Sequence, residues 1–153
     1  MNAKLLVRPV TPQDETAWRP LWDGYNAHYG RSGPTALPEE VTQATWSRFL
    51  DPDEPMSALV AESAGRLLGL VHYLFHRSTT QVALTCYLED LFTSAESRGK
   101  GVGRALINAV YKNAREAGSP NVYWLTHETN SVAMRLYEVI AVRSPFVVYS
   151  KTL

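Results

Sequence analysis

The chain has 153 residues, 45% of them apolar and 10% aromatic, which supports one compact domain with a sizeable core and argues against two full ones. Its 15 basic and 15 acidic residues cancel, so no net field gathers a nucleic acid or an anionic membrane, and binding selectivity has to come from local sites. The lone Cys86 excludes an intrachain disulfide and fits the reducing cytoplasm, and the apolar run Leu5-Leu6-Val7 before Arg8 is too short for a signal peptide or a membrane span.

Leu5 to Val10 reads as a first strand. Thr11-Pro12-Gln13-Asp14 then resembles a helix start, with Thr11 as N-cap, Pro12 at the first helical position and an acid in the first turn. Trp18, Trp22, Tyr25 and Tyr29 follow at spacings of four, three and four, one helical face, with a kink expected at Pro20. A loop over residues 30–35 precedes a second helix that opens at Pro38-Glu39-Glu40 and stops at Asp51-Pro52.

Ser57 to Glu62 and Leu67 to Arg77 are β-rich and joined by Ser63-Ala64-Gly65-Arg66, the pattern of an antiparallel hairpin. Thr79 to Thr93 is a third sheet segment. Helical spacing takes over from Gly103 to Ala117 and is closed by Gly118 and Pro120. Val122 to Thr126 reads as a strand, Ser131 to Val139 as a helix and Phe146 to Tyr149 as a last strand. The fold class is α+β, a single domain over 1–153 with a mixed, mostly antiparallel central sheet flanked by helices.

The chemistry-bearing feature is the loop Arg98-Gly99-Lys100-Gly101-Val102-Gly103 between a strand and a helix, which aims free backbone N–H groups at an anion from a positive helix terminus. It is not a P-loop, since Lys100 is followed by Gly101 rather than a hydroxyl residue for magnesium. It is not a dinucleotide fingerprint either, since the third glycine is missing and Leu106 stands in its place. Arg-x-x-Gly-x-Gly does resemble the pyrophosphate motif of the GNAT superfamily of N-acetyltransferases. Tyr87-Leu88-Glu89-Asp90-Leu91-Phe92-Thr93 is similar to that family's central strand, and Asn130-Ser131-Val132-Ala133-Met134-Arg135-Leu136-Tyr137 to its Asn-x-x-Ala-x-x-Leu-Tyr helix. Within the family, the Tyr-Leu-Glu-Asp strand resembles spermidine/spermine acetyltransferases, while the aromatic first helix and the tail from Phe146 to Lys151 resemble small histone/polyamine acetyltransferases. One departure stands out: Glu138-Val139-Ile140-Ala141-Val142 follows Tyr137 where the family has a glycine turn.

The resemblance implies direct transfer from acetyl-CoA to a primary amine in a ternary complex, with a polyamine, an amino acid or a basic peptide as acceptor. It also implies a cofactor site built from Leu91, Phe92 and Thr93 of the strand, Arg98, Gly99, Lys100, Gly101, Val102, Gly103 and Arg104 of the loop, and Asn130, Ala133 and Leu136 of the later helix. Asn130 has a second reading as a helix cap.

Glu89, two residues before Leu91 and so on the same strand face, is the candidate general base, with an ordinary ion pair to an arginine as its alternative; Asp90 points to the other face and is the weaker candidate. The resemblance of the Asn-x-x-Ala-x-x-Leu-Tyr helix implies that Tyr137 is the general acid, with core packing as its alternative. Trp22, Tyr25, Tyr29 and His127 are candidate substrate contacts, although the aromatic stripe reads equally as core. His72 and His76 share a face without a third ligand at metal spacing, so satisfied or surface histidines and no metal are expected. A non-catalytic acyl-CoA-binding module is the alternative function. The tail after Tyr137 looks too short for a terminal hairpin, leaving a sheet edge for a second copy to cover, so a homodimer is expected.

Overall fold

The structure is a computed structural model and describes residues 3–153. Its elements run β1 (Leu6–Pro9), α1 (Glu15–His28), α2 (Glu39–Leu50), β2 (Met56–Ser63), β3 (Arg66–Ser78), β4 (Gln81–Thr93), α3 (Val102–Glu116), β5 (Val122–Tyr123) and α4 (Ser131–Ile140). One sheet carries the strands in the order β1-β2-β3-β4-β5, antiparallel except for the parallel pairing of β4 with β5.

Alternation along the strands divides the core in two. Leu59, Ala61, Val71, Tyr73, Cys86 and Leu88 pack against Val102, Leu106, Ile107 and Val110 of α3, with Leu136, Tyr137 and Ile140 of α4 beside them. Val60 and Leu70 on the opposite face pack against Trp18, Leu21, Trp22 and Tyr25 of α1 and Trp46 of α2. Trp22 Nε1 donates to Thr42 Oγ1 at 3.1 Å, tying α1 to α2. Close packing of α1 on β4 depends on Gly24, where a Cβ would stand 2.8 Å from the Phe92 ring.

Local signals explain most boundaries. A 3₁₀ turn, Pro12–Asp14, leads into α1, and the Asp14 carboxylate accepts the Thr11 N–H at 2.7 Å. Pro20 does not break α1, which runs uninterrupted through it. The β2–β3 hairpin turns on Ala64 (φ 50°) and Gly65 (φ 73°), the left-handed pair that matches the twist of its strands.

The missing glycine after α4 is also explained. The helix ends with Ala141 extended (φ −149°), so no left-handed residue is needed, and Tyr111 Oη donates to the Ile140 carbonyl at 2.9 Å.

Two expectations are corrected. β5 stops at Tyr123, short of Thr126, and Phe146–Tyr149 forms no strand, its side chains being 67–93% exposed. A β-rich segment becomes a strand only when its backbone groups pair with a neighbouring edge, and neither stretch does: β5 leaves β4 after Tyr123, and residues 146–149 pair with no strand.

Arg8 on β1 holds Asp14 through two hydrogen bonds of 2.8 and 2.9 Å and also pairs with Glu62 at 2.7 Å. The Arg8 hydrogen bonds lower the Asp14 carboxyl to about 2 despite its burial. A carboxyl depressed in the folded state contributes stability in full above its unfolded value, near pH 4, and loses it as the pH falls towards 2. Asp14→Asn is expected to cost about 2 kcal/mol at pH 7 and to flatten the melting temperature between pH 4 and 2. Scanning calorimetry across that range checks it, and an unchanged acid slope would contradict the assignment.

Candidate active site

The site grows from a defect in β4. In the β3–β4 ladder His72 pairs with Asp90 and Tyr73 with Leu88, so Glu89 is an extra residue, a β-bulge. A bulge bends its strand and resets the alternation. Leu88 and Leu91, three apart, therefore both pack on the α3 face. The expected sharing of a face by Glu89 and Leu91, with Asp90 opposite, is thereby overturned: Glu89 and Asp90 line the same cavity.

β5 pairs with β4 only at Cys86 and Tyr87, so beyond the bulge the two strands part and leave one edge of β4 free from Leu88 to Thr93. Two cavities open along this wedge.

The first cavity, about 590 Å³, runs between the end of β4, the start of α3 and α4. Its walls include Leu91, Phe92, Thr93, Arg98, Gly99, Gly101, Val102, Gly103, Arg104, Asn130, Ala133, Leu136 and Tyr137. Apart from Tyr137, the expected acid, these are the residues expected to line the cofactor site, with one of that set absent. Lys100 is exposed and its side chain is no part of the wall, because the loop turns it outward between two left-handed glycines, Gly99 (φ 74°) and Gly101 (φ 80°).

The first helical bond of α3 is Ala105 N–H to the Gly101 carbonyl at 3.0 Å, and among the described residues the N–H groups from Gly99 to Arg104 have no acceptor in the chain. Consecutive unpaired donors at a helix N-terminus, flanked by the Arg98 and Arg104 cations, fit a diphosphate. The free edge of β4 supplies further donors and acceptors for an amide-bearing arm laid alongside it.

Gly101 and Gly103 differ in what they require. At Gly101 the positive φ disfavours any side chain, whereas Gly103 has no positive φ and a Cβ there would meet Thr93 and Leu136 at ordinary distances of 3.8 and 3.9 Å. Gly101→Val is therefore expected to weaken acetyl-CoA binding by at least about tenfold, since it adds left-handed strain of about 1–2 kcal/mol and bulk in the anion loop. Gly103→Ala is expected to fold normally. Titration calorimetry with acetyl-CoA checks both, and an unchanged Kd for Gly101→Val would contradict the loop as the anion site.

The second cavity, about 750 Å³, lies under α1 and α2 and is lined by Trp22, Tyr25, Tyr29, Glu89, Asp90 and His127 among others. The aromatic stripe serves both readings: Trp18 is core, at 1% exposed, while Trp22, Tyr25 and Tyr29 wall the cavity. Tyr25 and Tyr29 line both cavities, which meet at these two rings.

Asp90 is committed to its neighbours. His72 is buried, and its Nε2 accepts the Trp18 indole N–H at 3.1 Å, so Nδ1 carries the proton and donates to Asp90 at 2.8 Å. His72 thus joins the core to the cavity floor and is a satisfied histidine, as expected. Burial and, secondly, the Asp90 charge push the Tyr25 phenol well above its ordinary value.

Glu89 has no ion pair or side-chain hydrogen bond among the described residues, which removes the ion-pair alternative. Burial, then the nearby Asp90 charge, raise its carboxyl above the usual range. Tyr137 lies in the first cavity, edge-on to Trp124 at 5.3 Å, and burial with a smaller contribution from Tyr29 pushes its phenol up to about 12. Asn130 begins α4, but its Nδ2 donates to Thr126 Oγ1 at 3.1 Å rather than capping the helix. His127 is exposed, its Nδ1 held by Thr129.

Among the described residues no group of three or more His, Cys, Asp or Glu is placed to hold a metal ion, and no helix is long and apolar enough to cross a membrane. Sequence reasoning missed the weight of Asp90, because a bulge leaves no mark in the residue pattern. It also missed Asn26 and Arg31, which line the second cavity from α1 and the loop after it.

Residues 18–140 match the acetyltransferase (GNAT) family. Over 153 residues the chain is 36% identical to a D-amino-acid N-acetyltransferase of Saccharomyces cerevisiae, covering 99% of this chain and 92% of that protein. It is 26% identical over 132 residues to an uncharacterized N-acetyltransferase of Bacillus subtilis, covering 86% of this chain and 85% of the relative. An aminoglycoside N-acetyltransferase solved in complex with CoA shares the fold with a TM-score of 0.84 at 16% identity, covering 99% of this chain and 97% of the other. With a fold, a glycine loop and a full-length relative that agree, the chain belongs to the GNAT family of acetyltransferases.

Proposed function

We propose that the protein transfers the acetyl group of acetyl-CoA directly to the primary amine of a small molecule, in a ternary complex. The observation that carries this is the meeting of two cavities at Tyr25 and Tyr29, one lined by a loop of unpaired backbone N–H donors and the other by the Glu89 carboxylate, which has no ion pair among the described residues. Acetyl-CoA supplies the activated acetyl group. The amides of Gly99 to Arg104 hold its diphosphate, and the free edge of β4 lays the arm toward the junction, where a β4 amide polarises the thioester carbonyl.

Glu89, directly or through water, takes the proton from the incoming ammonium, since only the neutral amine has a lone pair for attack on the carbonyl carbon. Tyr137 gives its proton to the departing sulfur, and the second proton of the attacking nitrogen, lost as the tetrahedral adduct collapses to the amide, returns to the Tyr137 phenolate. The named relative acts on D-amino acids, which supports amino acids among the acceptors; polyamines and basic peptides are the other classes to test.

We place the protein in the cytoplasm, where the buried, unpaired thiol of Cys86 stays reduced. We also propose a homodimer, supported by the open outer edge of β5 and the exposed apolar tail Phe146, Val147, Val148 and Tyr149. A concentration-independent monomer mass in light scattering would rule the dimer out.

Release of CoA thiol on mixing acetyl-CoA with a panel of D- and L-amino acids, polyamines and histone-tail peptides tests the activity. Turnover on at least one amine is expected. Tight acetyl-CoA binding with no turnover on any would favour a non-catalytic acyl-CoA-binding module.

A further inference from the structure

The second cavity carries charges of both signs on different walls. Glu89 and Asp90 project from β4, while Arg31 and Arg48 face the cavity from the α1 and α2 side. Arg48 is exposed on α2, but Arg31 is half-buried and its position is built.

The Arg31 backbone N–H bonds to the Asn26 carbonyl at 2.8 Å, just past the end of α1, and its Nε donates to Asn26 Oδ1 at 2.6 Å. Asn26, 4% exposed, is itself fixed by Nδ2 donating to the Trp22 carbonyl at 2.9 Å. The guanidinium stands over the rings of Tyr25 and Tyr29, at 5.7 and 5.6 Å from their centroids. Nε and the plane of the group are therefore occupied, while both terminal nitrogens have no partner among the described residues, and no carboxylate pairs with Arg31. A guanidinium held by one edge and one face leaves a fixed fork of donors matched to a carboxylate.

We propose that Arg31 anchors the carboxylate of the acceptor, so that the acceptor class is the free amino acid. This rests on the acetyltransferase reading above. A zwitterion matches both walls at once, its ammonium toward Glu89 and Asp90 and its carboxylate toward Arg31. A polyamine or a basic peptide tail brings only cations, and any that reaches past the β4 carboxylates meets Arg31 and Arg48 with like charge. Asn26 is a positioning residue, acting through the guanidinium.

The test compares, for the intact protein with acetyl-CoA, D- and L-amino acids with their amides, their decarboxylated amines and spermidine, followed by CoA release. The acids are expected to exceed the amides in kcat/KM by roughly 10- to 100-fold, the range for a hydrogen-bonded contact with a charged group. In Arg31→Gln that preference is expected to collapse toward unity through a raised KM, and Arg31→Lys to recover part of it.

Amides, amines or spermidine turned over as well as the acids would overturn the inference and leave the acetyltransferase reading standing. So would an Arg31→Gln variant that slows acids and amides equally and melts earlier, because that is the signature of a residue that only closes the end of α1. CoA release from none of the amines would sink the acetyltransferase reading, and this inference with it.

Discussion

Replacing Tyr137 by phenylalanine is expected to lower turnover by about 10²–10⁴-fold while acetyl-CoA affinity and thermal stability stay near those of the parent. The ring packs against the α3-side core and edge-on to Trp124, contacts that phenylalanine preserves. Only the proton is lost. Because burial lifts the phenol to about 12, the hydroxyl remains a donor at every working pH.

The same rise makes full transfer to a thiolate with a pKa near 8.5 uphill by roughly 5 kcal/mol. Burial also raises the basicity of a thiolate, as it does for Cys86, whose thiol is pushed up to about 11. The mismatch therefore narrows where the sulfur is itself taken out of water, and a donor of this kind is most effective while charge is developing on sulfur. Single-turnover rates across pH 6–9 check this. A Tyr137→Phe variant with near-normal turnover would eliminate the acid role, and one that melts early would point to packing.

For Glu89, replacement by glutamine preserves shape and removes basicity, and a loss of about 10²–10⁴-fold at neutral pH is expected. Burial and Asp90 raise its carboxyl, and a base acts only when deprotonated, so on the proposed mechanism the parent's rate is expected to climb as pH rises through that elevated value and then level. In Glu89→Gln this limb is expected to vanish, leaving a rise that follows the acceptor's own deprotonation near its amine pKa. The pH dependence of kcat/KM decides the matter: an unaltered acid limb would show that another group accepts the proton.

The glycine loop was readable in the sequence because its requirement is local. Gly99 and Gly101 sit at positive φ, and donors freed at a helix start depend on neighbours in sequence, so the residues announce the proposed anion site without the rest of the fold. The same holds for the helical stripes of α1 and α3 and for the Ala64-Gly65 hairpin. Glu89 was found for a partly mistaken reason. Strict alternation put it on the face of Leu91, whereas the bulge makes it an additional residue beside Asp90 on the cavity wall.

What the sequence determined by itself is the family, the order of helices and sheet segments, and the glycine loop with its unpaired donors at the start of α3, all properties of short stretches with their own backbone demands. Tertiary structure decided the rest. Where β5 ends, whether residues 146–149 become a strand, and how far β4 and β5 part depend on the availability of a partner edge, which no single segment carries. The pairing of His72 with Asp90 and the convergence of Arg31 and Glu89 on one cavity join residues far apart in the chain. Such contacts follow from how α1 packs across the sheet, and side-chain type alone does not encode which distant groups that packing brings together.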